Sequence, residues 1–255
     1  MTLFNALNSR AAEQPIIIWT YYSSPPFSIN NEKREGLTYD FVDLLNKLSP
    51  GELTFLAHYI PRNRLDELLQ KRNDGIVAWV HPAWFNDKHK QKYLWTPPLI
   101  QDTNEVISLV KNSISYKGPE SLTGLQLGGV FGHVYSGLEE SIKQGAIKRL
   151  DVASFSQTLK ILIAGRVDFV IIPNNTIRYL AIDMGVSHQI CYSTTPHSLY
   201  TRHILVQKGQ QSAYPFLVKT IENLANNQQW QALLQRYHLI NTSIKPCRLK
   251  SNSKK

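Results

Sequence analysis

At 255 residues, with 42% hydrophobic and 18% charged side chains, the chain can bury one large core or two small ones, which excludes general disorder. Its formal charge of +9 suits an anionic partner. Zinc-finger spacing, an RNA-recognition sequence and an Arg-rich helix are all missing, so no nucleic-acid partner is expected.

Much of the charge lies in Lys245-Pro246-Cys247-Arg248-Leu249-Lys250 and Lys254-Lys255, and residues 241–255 read as a basic, disordered tail. No apolar run approaches the roughly 18–20 residues that span a bilayer. Residues 1–14 read as an N-terminal extension without the apolar centre of a signal peptide. Location stays open between the cytoplasm and export behind a leader that the sequence does not include. Cys191 and Cys247 allow one bridge in an oxidising compartment or two separate thiols.

In chain order, Ile16-Ile17-Ile18-Trp19 reads as a strand, and Thr20-Tyr21-Tyr22-Ser23-Ser24-Pro25-Pro26-Phe27 as a rigid loop, because paired prolines bar both helix and ladder. Phe41, Leu44, Leu45 and Leu48 recur at helical spacing after Gly36, and Pro50-Gly51 ends that helix. Residues 53–59 read as the next strand. A cassette then occurs twice. Leu65, Leu68 and Leu69 lead through Asn73-Asp74-Gly75 into Ile76-Val77-Ala78, and Leu159, Leu162 and Ile163 lead through Gly165-Arg166-Val167-Asp168 into Phe169-Val170-Ile171-Ile172. Each is an apolar helix stripe, a turn and a buried strand. Between the copies, Val106 to Val110 and Leu125 to Val130 read as strands, and Phe131 to Tyr135 as the opening of a helix. A helix follows Pro173, Ile204-Leu205-Val206 is one more strand, and two helices finish the fold.

One cassette in each half predicts two α/β lobes with mainly parallel sheets and a cleft between them. Ligands of such sheets sit beyond the strands' C-terminal ends, so the loops at 20–27, 60–64, 78–84, 131–135 and 173–176 are the candidate site.

The ordered set Pro25-Pro26-Phe27, Gly36-Leu37-Thr38-Tyr39-Asp40-Phe41, Trp95-Thr96-Pro97-Pro98, Ser121-Leu122-Thr123-Gly124-Leu125, Gly165-Arg166-Val167-Asp168 and Leu205-Val206-Gln207-Lys208-Gly209 resembles the bacterial extracellular solute-binding proteins of family 3, over roughly residues 15–240. The resemblance implies a type II periplasmic-binding-protein fold whose lobes are joined by two crossover strands, near 109–111 and 205–208. Lobe 1 would be residues 15–109 plus 206–240, and lobe 2 residues 110–205. It further implies a monomeric periplasmic receptor that closes on a small ligand and delivers it to the permease of an ABC transporter. A sensing module for a membrane signalling partner is the alternative, and an elimination enzyme on the same fold a more distant one. Asp87 is the carboxylate those loops offer to such an enzyme.

Amino-acid binders of that family clamp a carboxylate with an Arg after the first cassette and an ammonium with an Asp after the second. Here no Arg lies between Ala78 and Trp95, and Pro173-Asn174 stands in place of the Asp. A standard α-amino acid is therefore not expected. Tyr21, Tyr22, Ser23, Phe27, Trp79, His81 and Trp84 would line an aromatic, polar site, with Phe27 packing under its loop and Trp79 open equally to the cleft and to the core. Arg62 and Arg64 would fork an anionic ligand, or else pair with Asp66 and Glu67. Gly132, His133, Val134 and Tyr135 would offer helix-start amides, and Asn174 and Asn175 would complete the second lobe. No cofactor, metal or catalytic group is expected.

Overall fold

The computed structural model describes residues 14–49, 51, 53–240 and 244–247. The first lobe opens with β1 (Ile16–Thr20), α1 (Leu37–Leu48), β2 (Phe55–Tyr59), α2 (Arg62–Lys71) and β3 (Ile76–Val80). Short β4 (Leu94–Trp95) precedes the long β5 (Ile100–Leu109), which enters the second lobe. There follow β6 (Gln126–Val130), α3 (Glu139–Lys143), β7 (Lys148–Val152), α4 (Phe155–Ile163), β8 (Phe169–Pro173), α5 (Asn174–Asp183) and β9 (Ile190–Tyr192). The chain returns along β10 (Ser198–Val206) and ends in α6 (Tyr214–Asn223), α7 (Gln228–Arg236) and β11 (Lys245–Pro246).

The main sheet runs β2-β1-β3-β10-β5-β8-β6-β7. Strands β2, β1 and β3 are parallel, as are β8, β6 and β7, and β5 and β10 run antiparallel between the two blocks. The crossover pairing joins Ser198–Arg202 to Asn104–Ile100, upstream of the expected 109–111 and 205–208. Apolar runs marked only the second half of each strand, because the crossover halves carry polar side chains.

Both faces of the sheet are covered. In β3, Ile76 and Ala78 pack in one core and Val77 and Val80 in another; in β8, Val170 and Ile172 face one core and Phe169 and Ile171 the other. Helix α1 buries Phe41, Val42, Leu44 and Leu45, each contributing about 1.5–3 kcal/mol of transfer free energy. Gly36 caps it at φ 133°, where an added Cβ would lie 2.8 Å from the Phe27 carbonyl. Both cassettes form helix and strand in the expected order.

Two expectations change. Residues 131–135 form a turn, and the helix beyond begins only at Glu139 and is short, so no helix N-terminus lies at Gly132 or His133. In the tail, Ile244 is buried in the second-lobe core, Lys245–Pro246 pairs with β9, and Cys247 is bonded to Cys191. The remainder of the tail, 241–243 and 248–255, and residues 1–13 of the N-terminal extension lie outside the described residues. Among the described residues no helix is long and apolar enough to cross a membrane.

Candidate functional site

The crossover strands place a charged group where the loops of both lobes converge. Arg202 on β10 is 1% exposed, and each of its three guanidinium nitrogens donates a hydrogen bond within the protein. Nε and Nη2 reach Asp102 Oδ2 on β5 at 2.8 and 2.7 Å, Nη1 reaches the Tyr22 hydroxyl and the Trp79 carbonyl, and Nη2 also reaches the Tyr200 hydroxyl. Asp102 Oδ1 in turn accepts from the backbone N–H of Thr103 and of Asn175, the latter in the first turn of α5. The pair thus ties the first lobe to a second-lobe helix. With all three nitrogens engaged, this guanidinium has no fork free for a ligand carboxylate.

Around it stands an aromatic wall. Trp84 meets Tyr200 edge-on at 5.0 Å and His81 at 5.6 Å, and Tyr21 stacks on Tyr22 at 4.6 Å. His81 Nδ1 donates to the Thr201 carbonyl. Burial raises the Tyr200 phenol far above its ordinary range, so it stays a neutral hydrogen-bonding group.

Two predicted aromatics do not face the cleft. The Trp79 indole is fully buried against Phe27, Phe41 and Trp230 and donates to the Thr38 hydroxyl, and the Phe27 ring is buried in the same core. What Trp79 contributes is its carbonyl. Its φ of 67° is rare for a bulky residue and falls at the irregularity of the β3–β10 ladder, which frees that carbonyl for Tyr22 and Arg202. Ser23 is exposed in the following turn.

The expected anion fork is not assembled. Arg62 is chelated by both oxygens of Asp66 one turn along α2 and donates to the Trp84 carbonyl at 2.7 Å, with its guanidinium over Phe85. Arg64 pairs with Glu67 on the exposed face of the helix. Asp87 is likewise held by its own loop, accepting from the amides of Gln91, Lys92 and Tyr93 and from the Trp95 indole.

On the second lobe, Arg149 organises the turn after β6. Its Nη2 donates to the carbonyls of Val130 and His133, its Nε to Asp151, and its charge lies 5.1 Å over the Tyr135 ring. A Cβ at Gly129 would run into both Arg149 and Asp151, so the glycine makes room for this brace. The His133 ring packs on Tyr135 and Phe155, and burial, with Arg149 and His197 nearby, lowers its pKa to about 4. Tyr135 is buried and accepts from the Val130 amide. Gly132 and Val134 are exposed on the turn beside Phe131. Asn174 donates to Glu105 on β5, and the Asn175 side-chain Nδ2 is buried without a partner.

Of the predicted residues, the structure therefore gathers Tyr21, Tyr22, His81 and Trp84 in one group and His133 and Tyr135 in another, with Asn174 and Asn175 linked to β5. Asp102, Arg202, Tyr200, Glu105 and Phe155 escaped the sequence reading. Arg202 carried a signal, since it lies at i−2 from Ile204 and i−4 from Val206 and so on the apolar face of its strand. A separate cavity of about 670 Å³ sits at the C-terminal end of α5, lined by Ala181, Ile182 and Ile190. That is the opposite end of the helix from Asn174, away from where the parallel strands point.

No curated protein sequence matches the chain significantly. In solved structures it is similar to the GluR0 ligand-binding core from Nostoc punctiforme in complex with (L)-glutamate, at 13% identity and a TM-score of 0.66, covering 88% of this chain and 99% of that one. Holo ArgBP from T. maritima is similar at 17% identity and a TM-score of 0.59, over 87% and 95% of the two chains. The ancestral amino acid-binding protein AncCDT-1, a precursor of cyclohexadienyl dehydratase, is similar at 14% identity and a TM-score of 0.62, over 88% and 95%. These likenesses establish the two-lobed fold. The model of bacterial extracellular solute-binding proteins, family 3, matches residues 16–240, and the chain, a ligand-binding receptor by this kinship, belongs to that family.

Proposed function

We propose that this receptor captures a small, ring-bearing polar ligand between its lobes and hands it to the permease of an ABC transporter. The observation that carries the reading is the Arg202–Asp102 pair. The guanidinium in the cleft is fully engaged within the protein, and Arg62 is neutralised by Asp66, so recognition falls to Trp84, Tyr200, His81 and Tyr21. Aromatic rings with polar tips suit a flat ligand that also makes hydrogen bonds. An anionic ligand, expected while Arg62 and Arg64 were candidates, is disfavoured by the same geometry.

The family kinship favours a receptor over an elimination enzyme, and Asp87, the carboxylate that the loops offer to such an enzyme, is fixed by four hydrogen-bond donors and is not free to carry protons. The Cys191–Cys247 bond supports a periplasmic location, since such bonds persist in oxidising compartments.

The test is a thermal-shift screen of the whole protein against amino acids, organic acids, amines, aromatic compounds and phosphorylated compounds. A ligand at a hundred times its Kd stabilises the fold by about 2.7 kcal/mol, or roughly 5–10 °C at this size. A hit with an aromatic polar compound, weakened by Trp84→Ala, is the expected result. A hit with a standard α-amino acid, unaffected by that change, would overturn the proposed site.

A further inference from the structure

Glu105 on β5 is 6% exposed, and its Oε1 accepts from the Thr103 hydroxyl and from Asn174 Nδ2, the latter at 2.8 Å. Among the described residues no Lys, Arg or His forms an ion pair with it. The other carboxylates near the loops are more fully compensated: Asp102 by Arg202, Asp66 by Arg62, Asp151 by Arg149, and Asp87, which has no cation beside it, by four hydrogen-bond donors. A carboxylate drawn out of water is costly unless it is compensated, and the N-terminus of α5 beside it supplies only a partial positive charge.

Contact with Glu105 also fixes the polarity of Asn174. An ionised carboxylate only accepts, so it holds the amide NH2 and leaves Asn174 Oδ1 as the free end of that side chain. Asn174 is half-buried at the C-terminal end of β8, the edge where ligands of parallel strands sit. At this point the second lobe presents an acceptor backed by an unmatched negative charge.

We infer that the ligand presents a protonated amine to Asn174 and Glu105 and needs no carboxylate, which makes it an arylalkyl amine. The inference rests on the receptor reading above and narrows its ligand. The amine would bring the charge that Glu105 lacks, and the ring would reach the aromatic wall of Trp84 and Tyr200.

The experiment compares three probes of similar ring and chain, 2-phenylethylamine, 2-phenylethanol and 3-phenylpropionate, by calorimetry on the whole protein at pH 7 and low salt. The amine should bind at least tenfold more tightly than the alcohol, and the acid most weakly. Glu105→Gln, which can offer an NH2 and let the Asn174 amide turn over, should weaken the amine at least tenfold and the alcohol less than twofold. Should that variant fail to melt cooperatively, Asn174→Leu, which covers the carboxylate with an apolar side chain, should likewise remove the preference.

Equal binding of amine and alcohol by the unaltered protein overturns the inference, as does an amine preference that survives in the folded variants. If Glu105 only steadies α5, the variants will change melting temperature and not selectivity. Silence with all three probes, while the broader panel yields a hit, overturns the amine and leaves the receptor standing. Silence in both overturns both.

Discussion

Arg202 and Asp102 face each other across the two crossover strands, with Nε and Nη2 of the guanidinium 2.8 and 2.7 Å from one carboxylate oxygen. Both side chains are essentially out of water. In such a pair the loss of one partner is worse than the loss of both, because it leaves a buried charge alone. Arg202→Met or Asp102→Leu alone should lower unfolding free energy by about 3–5 kcal/mol. The double variant should recover part of that loss. Urea unfolding of all four proteins reads the coupling, and a double variant as unstable as the sum of the singles would deny it.

Much of the architecture was legible because it is written in apolar periodicity. The stripe of Phe41, Leu44 and Leu45, and the two helix-to-strand cassettes, are dictated by burial against a sheet. The site was less legible for the opposite reason. The crossover halves of β5 and β10 are polar because they lie between the cores, so Asp102 and Tyr200 fall outside the apolar runs that mark strands. Trp79 stays open between core and cleft in the sequence because an apolar run does not reveal a ladder irregularity that turns its ring inward and its carbonyl outward. Arg62 and Asp66, by contrast, could be read as a pair from their i,i+4 spacing alone.

His133 gives the protein a pH dependence with a definite sign. It takes up a proton near 6.5 when unfolded, but burial holds it at about 4 in the folded chain. Between these values only the unfolded state is protonated. Stability is therefore complete above about pH 6.5 and falls towards pH 4 by up to about 1.4 kcal/mol per unit, without further loss from this group below that. His133→Gln should flatten the slope of unfolding free energy against pH within that window. An unchanged slope would show that the folded protein already protonates His133.

The Cys191–Cys247 bond closes a loop of 56 residues and fastens β11 to β9. On chain-entropy grounds a closure of that length contributes about 4 kcal/mol. Cys191→Ser/Cys247→Ser, or reduction with dithiothreitol, should lower Tm by several degrees. Because Ile244 packs in the second-lobe core, protection of β9 and β5 amides from hydrogen exchange should fall more than that of β1 and β2. Equal loss in both lobes would mean that the bond acts on the unfolded chain alone.

Asp87 holds its loop through four donors, the amides of Gln91, Lys92 and Tyr93 and the indole of Trp95. Burial works against its ionisation, but these hydrogen bonds outweigh burial and keep the carboxyl below its ordinary range. Asp87→Asn keeps the shape and turns one acceptor oxygen into a donor facing other donors, which should cost about 3 kcal/mol at pH 7. The sign of the pH effect follows from the depressed value. The stabilisation is present above the unfolded pKa of about 3.9 and is lost as pH falls through the lower folded one. Stability curves of the two proteins should therefore lie well apart at pH 7 and draw together near pH 2. A gap that stays constant down to that pH would mean that packing, and not the charge, sets the worth of Asp87.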